Sequence, residues 1–138
     1  MDLDEFIGHL GLTLNPKQLA YLRQEAGLPS DWMYMASAQE WTRTDKYRRE
    51  GRTTVLSVKY LWDAFNTGQP VEVRDHTGML QMVPQIQDLI RRHVEALLSR
   101  GVRFEYEFRN RGTVYLRVMQ PAKPAPRPDY PTVYDMLF

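Results

Sequence analysis

The feature that most constrains the fold is a change in hydrophobic spacing at Gly101. Before this glycine, apolar residues recur at helical intervals from Pro84 to Arg100, namely Ile86, Leu89, Ile90, Val94, Leu97 and Leu98. After it, apolar and charged residues alternate from Val102 to Arg109, and the alternation returns from 114 to 118. A period of about 3.6 residues indicates a helix, and strict alternation indicates strands with one buried face. This half of the chain therefore predicts a long helix and then a β-hairpin that turns at Asn110-Arg111-Gly112.

The N-terminal region carries the signals of three helices. Residues 3–10 place their apolar side chains at helical spacing. The next helix has the clearest boundaries, because Asn15-Pro16 supplies an N-cap with a first-turn proline and Gly27 supplies a C-cap. Ser30-Asp31 caps a third helical candidate, which ends at Gly51 at the latest.

The region between Gly51 and Pro84 predicts one more helix and a first hairpin. From Thr54 to Thr67 the chain is amphipathic, and Gly68 closes the helix. Val71–Arg74 alternates as a strand does, residues 75–78 have turn composition, and Met79–Val83 returns as a second short strand. The predicted fold class is therefore α+β. N-terminal helices precede two β-hairpins, which form an antiparallel sheet packed against the helix over 84–100.

Composition limits the number of domains and the kinds of chemistry. With 138 residues and 43% hydrophobic residues, the chain has enough material for one core. We predict a single domain over 1–120 and a separate proline-rich tail over 121–138. The chain has no cysteine, which excludes disulfides and thiolate sites. No signal-peptide pattern and no membrane-spanning apolar run are present, so the sequence predicts a cytoplasmic protein with no membrane partner.

Candidate catalytic groups are sparse, and we expect no catalytic residue, no metal site and no cofactor. His9, His76 and His93 share no spacing with carboxylates that would form a metal or acid–base site. A metal-dependent nuclease is the enzyme hypothesis, because Glu72 with Asp75, or Glu105 with Glu107, could hold a divalent ion. The competing interpretation is a solvated strand face on which glutamates pair with arginines.

Charge is distributed unevenly along the chain, although the net charge is only +1. Residues 1–40 hold two basic and six acidic side chains, whereas residues 91–117 hold seven arginines and three glutamates. Between them, residues 41–52 interleave aromatic and basic residues, a pattern that suits phosphate contacts and base stacking. The predicted nucleic-acid contacts in this segment are Arg43, Lys46, Tyr47, Arg48, Arg49 and Arg52.

A DNA-binding hypothesis follows from the order of the predicted elements. Three helices followed by a hairpin, over residues 16–83, is the order of a winged helix-turn-helix, with the helix at 54–67 in the recognition position. That helix carries Lys59 as its single cation beside Asp63, and the sequence pI of about 8.0 is below that of most dedicated DNA-binding domains.

The C-terminal tail predicts a protein contact. Five prolines between 121 and 131 favour an extended spacer, and an apolar peptide follows it. Asp135-Met136-Leu137-Phe138 resembles the pentapeptides that dock in the pocket of bacterial sliding clamps, with Tyr134 where those peptides prefer glutamine. The predicted partner-binding residues are Tyr134, Met136, Leu137 and Phe138. The alternative is that these side chains fold back and complete the core.

Together these patterns predict a non-catalytic binding module, an accessory or regulatory factor that docks onto a macromolecular protein complex, one that processes nucleic acid. A winged-helix-like DNA-binding regulator is the second hypothesis, and a small metal-dependent nuclease is the third. The sequence resembles no family along its full length.

Overall fold

The computed structural model describes residues 1–28, 51–75 and 81–120. Within these ranges the chain forms four helices and three strands, which are α1 (Leu3–Leu10), α2 (Pro16–Glu25), α3 (Arg52–Thr67), β1 (Val71–Val73), α4 (Val83–Ser99), β2 (Glu105–Asn110) and β3 (Val114–Met119). The predicted α+β class is confirmed. The helix predicted from Ser30-Asp31 and the tail over 121–138 lie outside the described residues.

The ends of α1 and α2 are set by local hydrogen bonds that the sequence encodes. The Asp2 carboxylate accepts from the Glu5 backbone N–H at 2.8 Å and caps α1. At α2, the Asn15 side chain accepts from the Gln18 N–H, and the Gln18 side chain accepts from the Asn15 N–H, both at 2.9 Å. This reciprocal pair is a capping box, which satisfies backbone donors that a helix start otherwise leaves without partners.

The sheet is antiparallel, with strand order β1-β3-β2. The predicted second hairpin is present as β2 and β3. The predicted first hairpin is wrong in its second strand, because residues 81 and 82 form a turn and Val83 begins α4. Pro84 suits the first turn of a helix, so the helix begins just before it and removes Val83 from any strand.

Strand β1 pairs with the central strand β3. Val71 lies opposite Leu116 and Val73 lies opposite Val114, so the apolar side chains of β1 find apolar partners on the central strand. Asp75, two residues after β1, is buried, and its carboxylate accepts from the backbone N–H of Met82, the residue before α4, at 3.3 Å.

One hydrophobic core joins side chains from all four helices and from the inner face of the sheet. Helix α3 is its centre, because α3 contacts the other described helices as well as β1 and β3. The long helix α4 packs chiefly against α3 and α1, and its Arg91 guanidinium lies 5.1 Å from the Phe108 ring of β2. Thus α3 has more extensive contact with the sheet than α4 does.

A helix that crosses a bilayer needs about 20 mostly apolar residues. No helix in the described ranges has this combination of length and hydropathy.

Candidate docking surface

Strand register divides the side chains of the sheet between two faces. On β3, Leu116 and Val118 point into the core, and the residues that alternate with them point to the other side. Directly paired residues share a face, so the pairing with β1 and β2 identifies the remaining members. We call this set the outer sheet face; it comprises Glu72, Glu105, Glu107, Arg109, Tyr115, Arg117 and Met119.

The edge strands supply most of the charge on the outer sheet face. On β1, Glu72 forms an ion pair with Arg74, and on β2, Glu107 pairs with Arg109 at 3.0 Å. All four side chains are partly exposed, so each pair contributes only about 0–1 kcal/mol to stability. These pairs match the interpretation of a solvated strand face, although they form along each strand rather than across the hairpin.

The central strand β3 contributes three half-buried side chains to the outer sheet face. Tyr115, Arg117 and Met119 are half-buried, and neither Tyr115 nor Met119 belongs to the hydrophobic core. Among the described residues, Arg117 Nε is a buried side-chain nitrogen without a hydrogen-bond partner. Leaving such a donor unsatisfied costs about 1–3 kcal/mol, so an acceptor that reached it would gain binding energy.

Two hollows lie beside the end of β3. One, of about 430 Å³, is lined by Arg103, Phe104, Glu105, Met119 and Gln120. The other, of about 420 Å³, lies between β3 and the C-terminal end of α3 and is lined by residues 65–68 and 117–120. Met119 and Gln120 border both hollows, and the Gln120 side chain donates to the Phe65 carbonyl. The outer sheet face therefore continues into concave surface at this end.

Most of the contact residues predicted from the sequence lie outside the residues that the structure describes. Arg43, Lys46, Tyr47, Arg48 and Arg49 lie outside the described residues. So do Tyr134, Met136, Leu137 and Phe138 in the tail. The roles of both groups remain predictions.

Arg52 is the one member of the basic segment that the structure describes. It is the first residue of α3 and only 5% exposed, which does not favour contact with a phosphate. Within the described part of the chain, residues 53–65 of α3 are buried or half-buried, and Asn66 and Thr67 at its C-terminal end are exposed. A recognition helix needs a free face to enter a groove, so this burial does not favour α3 in that role.

The carboxylates of the nuclease hypothesis are spread over two strands. Glu72 lies opposite Tyr115, Glu105 opposite Met119 and Glu107 opposite Arg117. Asp75 is buried and bonds to backbone. In the ranges 1–28, 51–75 and 81–120, no three His, Cys, Asp or Glu residues come together as a metal site would require.

The closest approach to a catalytic pair is a buried contact between α3 and α4. Ser57 Oγ lies 2.7 Å from His93 Nε2, and the Ser57 hydroxyl donates to the Thr54 carbonyl. His93 therefore donates its Nε2 proton to Ser57. The exposed fractions are 0% for Ser57 and 5% for His93, so no substrate reaches them and the contact fastens two helices.

Sequence reasoning missed Tyr115, Arg117 and Met119. A signal for them exists in β3, where Val114–Met119 reads VYLRVM and carries large apolar residues on both faces. A strand with one fully solvated face alternates more cleanly, as β2 does. The sequence matches no protein-family model, and neither the curated proteins nor the solved structures contain a significant match.

Proposed function

We propose that this protein is a non-catalytic binding module, an accessory or regulatory factor that docks onto a macromolecular protein complex. The observation that supports this function is the outer sheet face. Its central strand combines Tyr115, Arg117 and Met119 outside the core, and Arg117 holds a buried donor without a partner. Aromatic residues and arginines in such settings carry a large share of the binding energy of protein interfaces.

The proposed mechanism is occupancy of a surface rather than chemistry. Tyr115 and Met119 supply apolar contact area, and the half-buried Arg117 guanidinium donates to an acceptor oxygen of the partner. The hollows beside Met119 and Gln120 can receive side chains from the partner. The partly exposed ion pairs at the rim fix orientation, since charges at the edge of an interface affect association rate and register more than affinity.

The two segments outside the described residues belong to the same proposal. The tail peptide with Tyr134, Met136, Leu137 and Phe138 is proposed as a second contact with the partner. The basic segment over 41–52 supports a partner that works on nucleic acid, because such a segment would lie near phosphates. A tethered second contact raises affinity through its effective concentration, without any new contact at the sheet.

The test is affinity capture from native lysate with matched variants. We expect a Tyr115→Ala, Arg117→Ala double variant to lose a specifically retained partner, and we expect deletion of 130–138 to weaken its capture. Arg92→Ala is the control, because Arg92 is an exposed arginine on α4 and not a member of the outer sheet face. The retained species is then purified and its affinity for each variant is measured directly.

The single variant Arg117→Ala tests the same proposal independently. Removing a buried, unsatisfied donor should leave the isolated protein as stable as before or more stable by about 1 kcal/mol, while binding is lost. Chemical denaturation measures the stability of the variant, and a binding assay with the purified partner measures its affinity. Equal capture by every variant, or loss of capture only when folding is lost, would contradict a docking role for the outer sheet face.

A further inference from the structure

Strand β2 forms an edge of the sheet. In the strand order β1-β3-β2, one side of β2 pairs with β3 over Glu105–Asn110, and no described strand pairs with its other side. Six residues span about 20 Å, which is a typical length for a complete strand. A free edge of this length presents N–H and C=O groups that can hydrogen-bond to another strand.

The sequence of β2 lacks two of the features that prevent such pairing. Natural edge strands are commonly protected by proline, by a very short length or by charged side chains, lysine above all. The charges of β2, on Glu105, Glu107 and Arg109, are of both signs and can therefore pair with those of a second copy. Strand β1, at the opposite edge, has only three residues, whereas β2 reads EYEFRN and contains neither proline nor lysine. Its inner side bears Tyr106 and Phe108, whose rings are 5.8 Å apart and only partly buried.

We propose that β2 pairs with β2 of a second copy of this chain, antiparallel and centred on Glu107. In this register Glu105 lies opposite Arg109 of the second copy, and Tyr106 lies opposite Phe108 of the second copy. Both pairs occur twice because the arrangement has two-fold symmetry. Opposite charges and aromatic pairs are the cross-strand combinations that stabilise antiparallel sheets.

Face and aromatic pairing select this register over its neighbours. A shift by one residue would place an aromatic side chain opposite a charged one and would mismatch the two faces. A shift by two residues toward the turn would place Glu107 opposite Arg109, but it would leave Tyr106 opposite Asn110 and move the partner of Glu105 beyond the end of β2. The chosen register brings Glu107 opposite its own copy, and Arg109 of the same chain, at 3.0 Å, offsets that repulsion.

The dimer does not depend on the proposed docking function. If both are correct, dimer formation enlarges the surface that is available for docking. Continuous pairing through β2 makes one six-stranded sheet from two three-stranded sheets. The two outer sheet faces then lie on the same side of one larger sheet, so a symmetric partner could contact both.

Charge reversal at Glu105 and Arg109 tests the pairing, with sedimentation velocity over a range of concentrations as the measurement. Glu105 is exposed and Arg109 is largely exposed, so Glu105→Arg and Arg109→Glu should both leave the fold intact. Each variant alone places like charges opposite each other twice, and we expect its dimer to weaken about tenfold. In an equal mixture of the two variants, the heterodimer regains both opposite-charge pairs, and association returns.

Glu72→Arg is the matched control, since Glu72 lies on the same face but on the other edge strand. We expect it to leave the dimer unchanged. The proposal is overturned if the natural protein stays monomeric at the highest concentration, or if both single variants remain dimeric. It is overturned equally if the mixture fails to associate while circular dichroism shows both variants folded.

A cysteine at the symmetry axis tests the register itself. The chain has no cysteine, so Glu107→Cys introduces a single thiol. Residues paired at the axis have Cβ atoms about 4.5–5.5 Å apart, close enough for a disulfide after a small adjustment. We expect Glu107→Cys to cross-link under mild oxidation and Glu72→Cys to remain monomeric on a denaturing gel. Equal cross-linking of both variants would refute the register.

Discussion

At the scale of the residue, the contact between Ser57 and His93 is the most consequential polar feature of the core. Both side chains are buried where α3 meets α4. Burial lowers the pKa of the His93 imidazole from 6.5 to about 4, because the charged form loses its hydration. His93 is therefore neutral at pH 7 in the folded protein, and it acts as a hydrogen-bond donor to a serine.

The lowered pKa of His93 predicts a dependence of stability on pH. In the unfolded chain this imidazole takes up a proton near pH 6.5, whereas in the folded chain it does so only near pH 4. The free energy of unfolding is therefore highest above pH 6.5 and falls as the pH drops through this window. A shift of this size corresponds to roughly 3 kcal/mol.

Urea denaturation between pH 7.5 and pH 4, applied to the natural protein and to His93→Gln, measures this effect. Glutamine can still donate to Ser57 but does not titrate. We therefore expect the difference between the two proteins to shrink as the pH falls. If the free energies of unfolding of the two proteins change with pH in parallel, His93 does not titrate as its burial implies.

At the scale of the element, one contact joins the starts of α2 and α3. Gly51 precedes α3 with a φ of 78°, and its carbonyl accepts from the Gln18 side-chain amide at 3.0 Å. The same Gln18 completes the capping box of α2. A Cβ atom added at Gly51 would collide with the amide end of the Gln18 side chain, so an alanine there would combine an unfavourable conformation with a displaced neighbour.

Gly51→Ala is expected to lower the free energy of unfolding by more than a backbone effect alone. The left-handed conformation costs an alanine about 1 kcal/mol, and displacement of Gln18 adds the loss of two hydrogen bonds at about 1 kcal/mol each. Gly27→Ala is the control, because Gly27 has a φ of 72° and no atom of the described residues lies within 4 Å of a Cβ placed there. Equal losses in the two variants, measured by chemical denaturation, would show that the Gln18 contact contributes nothing.

Aromatic packing connects the elements around α3. The Phe6 ring of α1 lies 5.1 Å from Trp62 and 5.7 Å from Phe65, and Phe65 lies 5.6 Å from Phe104. A helix as short as α1, with eight residues, would not be stable alone in water. Its helical state therefore depends on this contact with the core.

At the scale of the whole molecule, the arginine-rich portion extends from α4 to β3, whereas α1 and the residue before it carry Asp2, Asp4 and Glu5. Arg91, Arg92, Arg100, Arg103, Arg109 and Arg111 are all exposed. Arg91 and Arg109 nevertheless form ion pairs with Asp88 and Glu107. This partial neutralisation, together with a net charge of +1, favours a protein partner over direct binding to nucleic acid.

Fluorescence anisotropy with a labelled DNA duplex tests whether the protein binds nucleic acid directly. We expect no binding at about 0.15 M salt, and we expect any low-salt binding to weaken linearly on a log–log plot as counterions compete. Arg48→Glu with Arg49→Glu should abolish such binding, and Lys17→Glu on α2 should not. Tight binding that persists at about 0.15 M salt would favour the DNA-binding regulator instead.

The sequence alone determined the elements whose signals are local. The residues Asn15 and Gly68 mark helix ends that the structure reproduces, and the alternation after Gly101 produced the β2–β3 hairpin. These signals act between residues only a few positions apart, so they can be recognised in one chain without its tertiary contacts.

Only the tertiary structure decided which strand joins β1, which helix occupies the centre and which side chains share the outer sheet face. Val71 and Leu116 are distant in sequence, and nothing in either segment encodes the other as its partner. The unsatisfied Nε of Arg117 is likewise invisible in the sequence, because it depends on what surrounds the side chain. Long-range pairing follows from the burial of all the elements together, and local patterns leave that choice open.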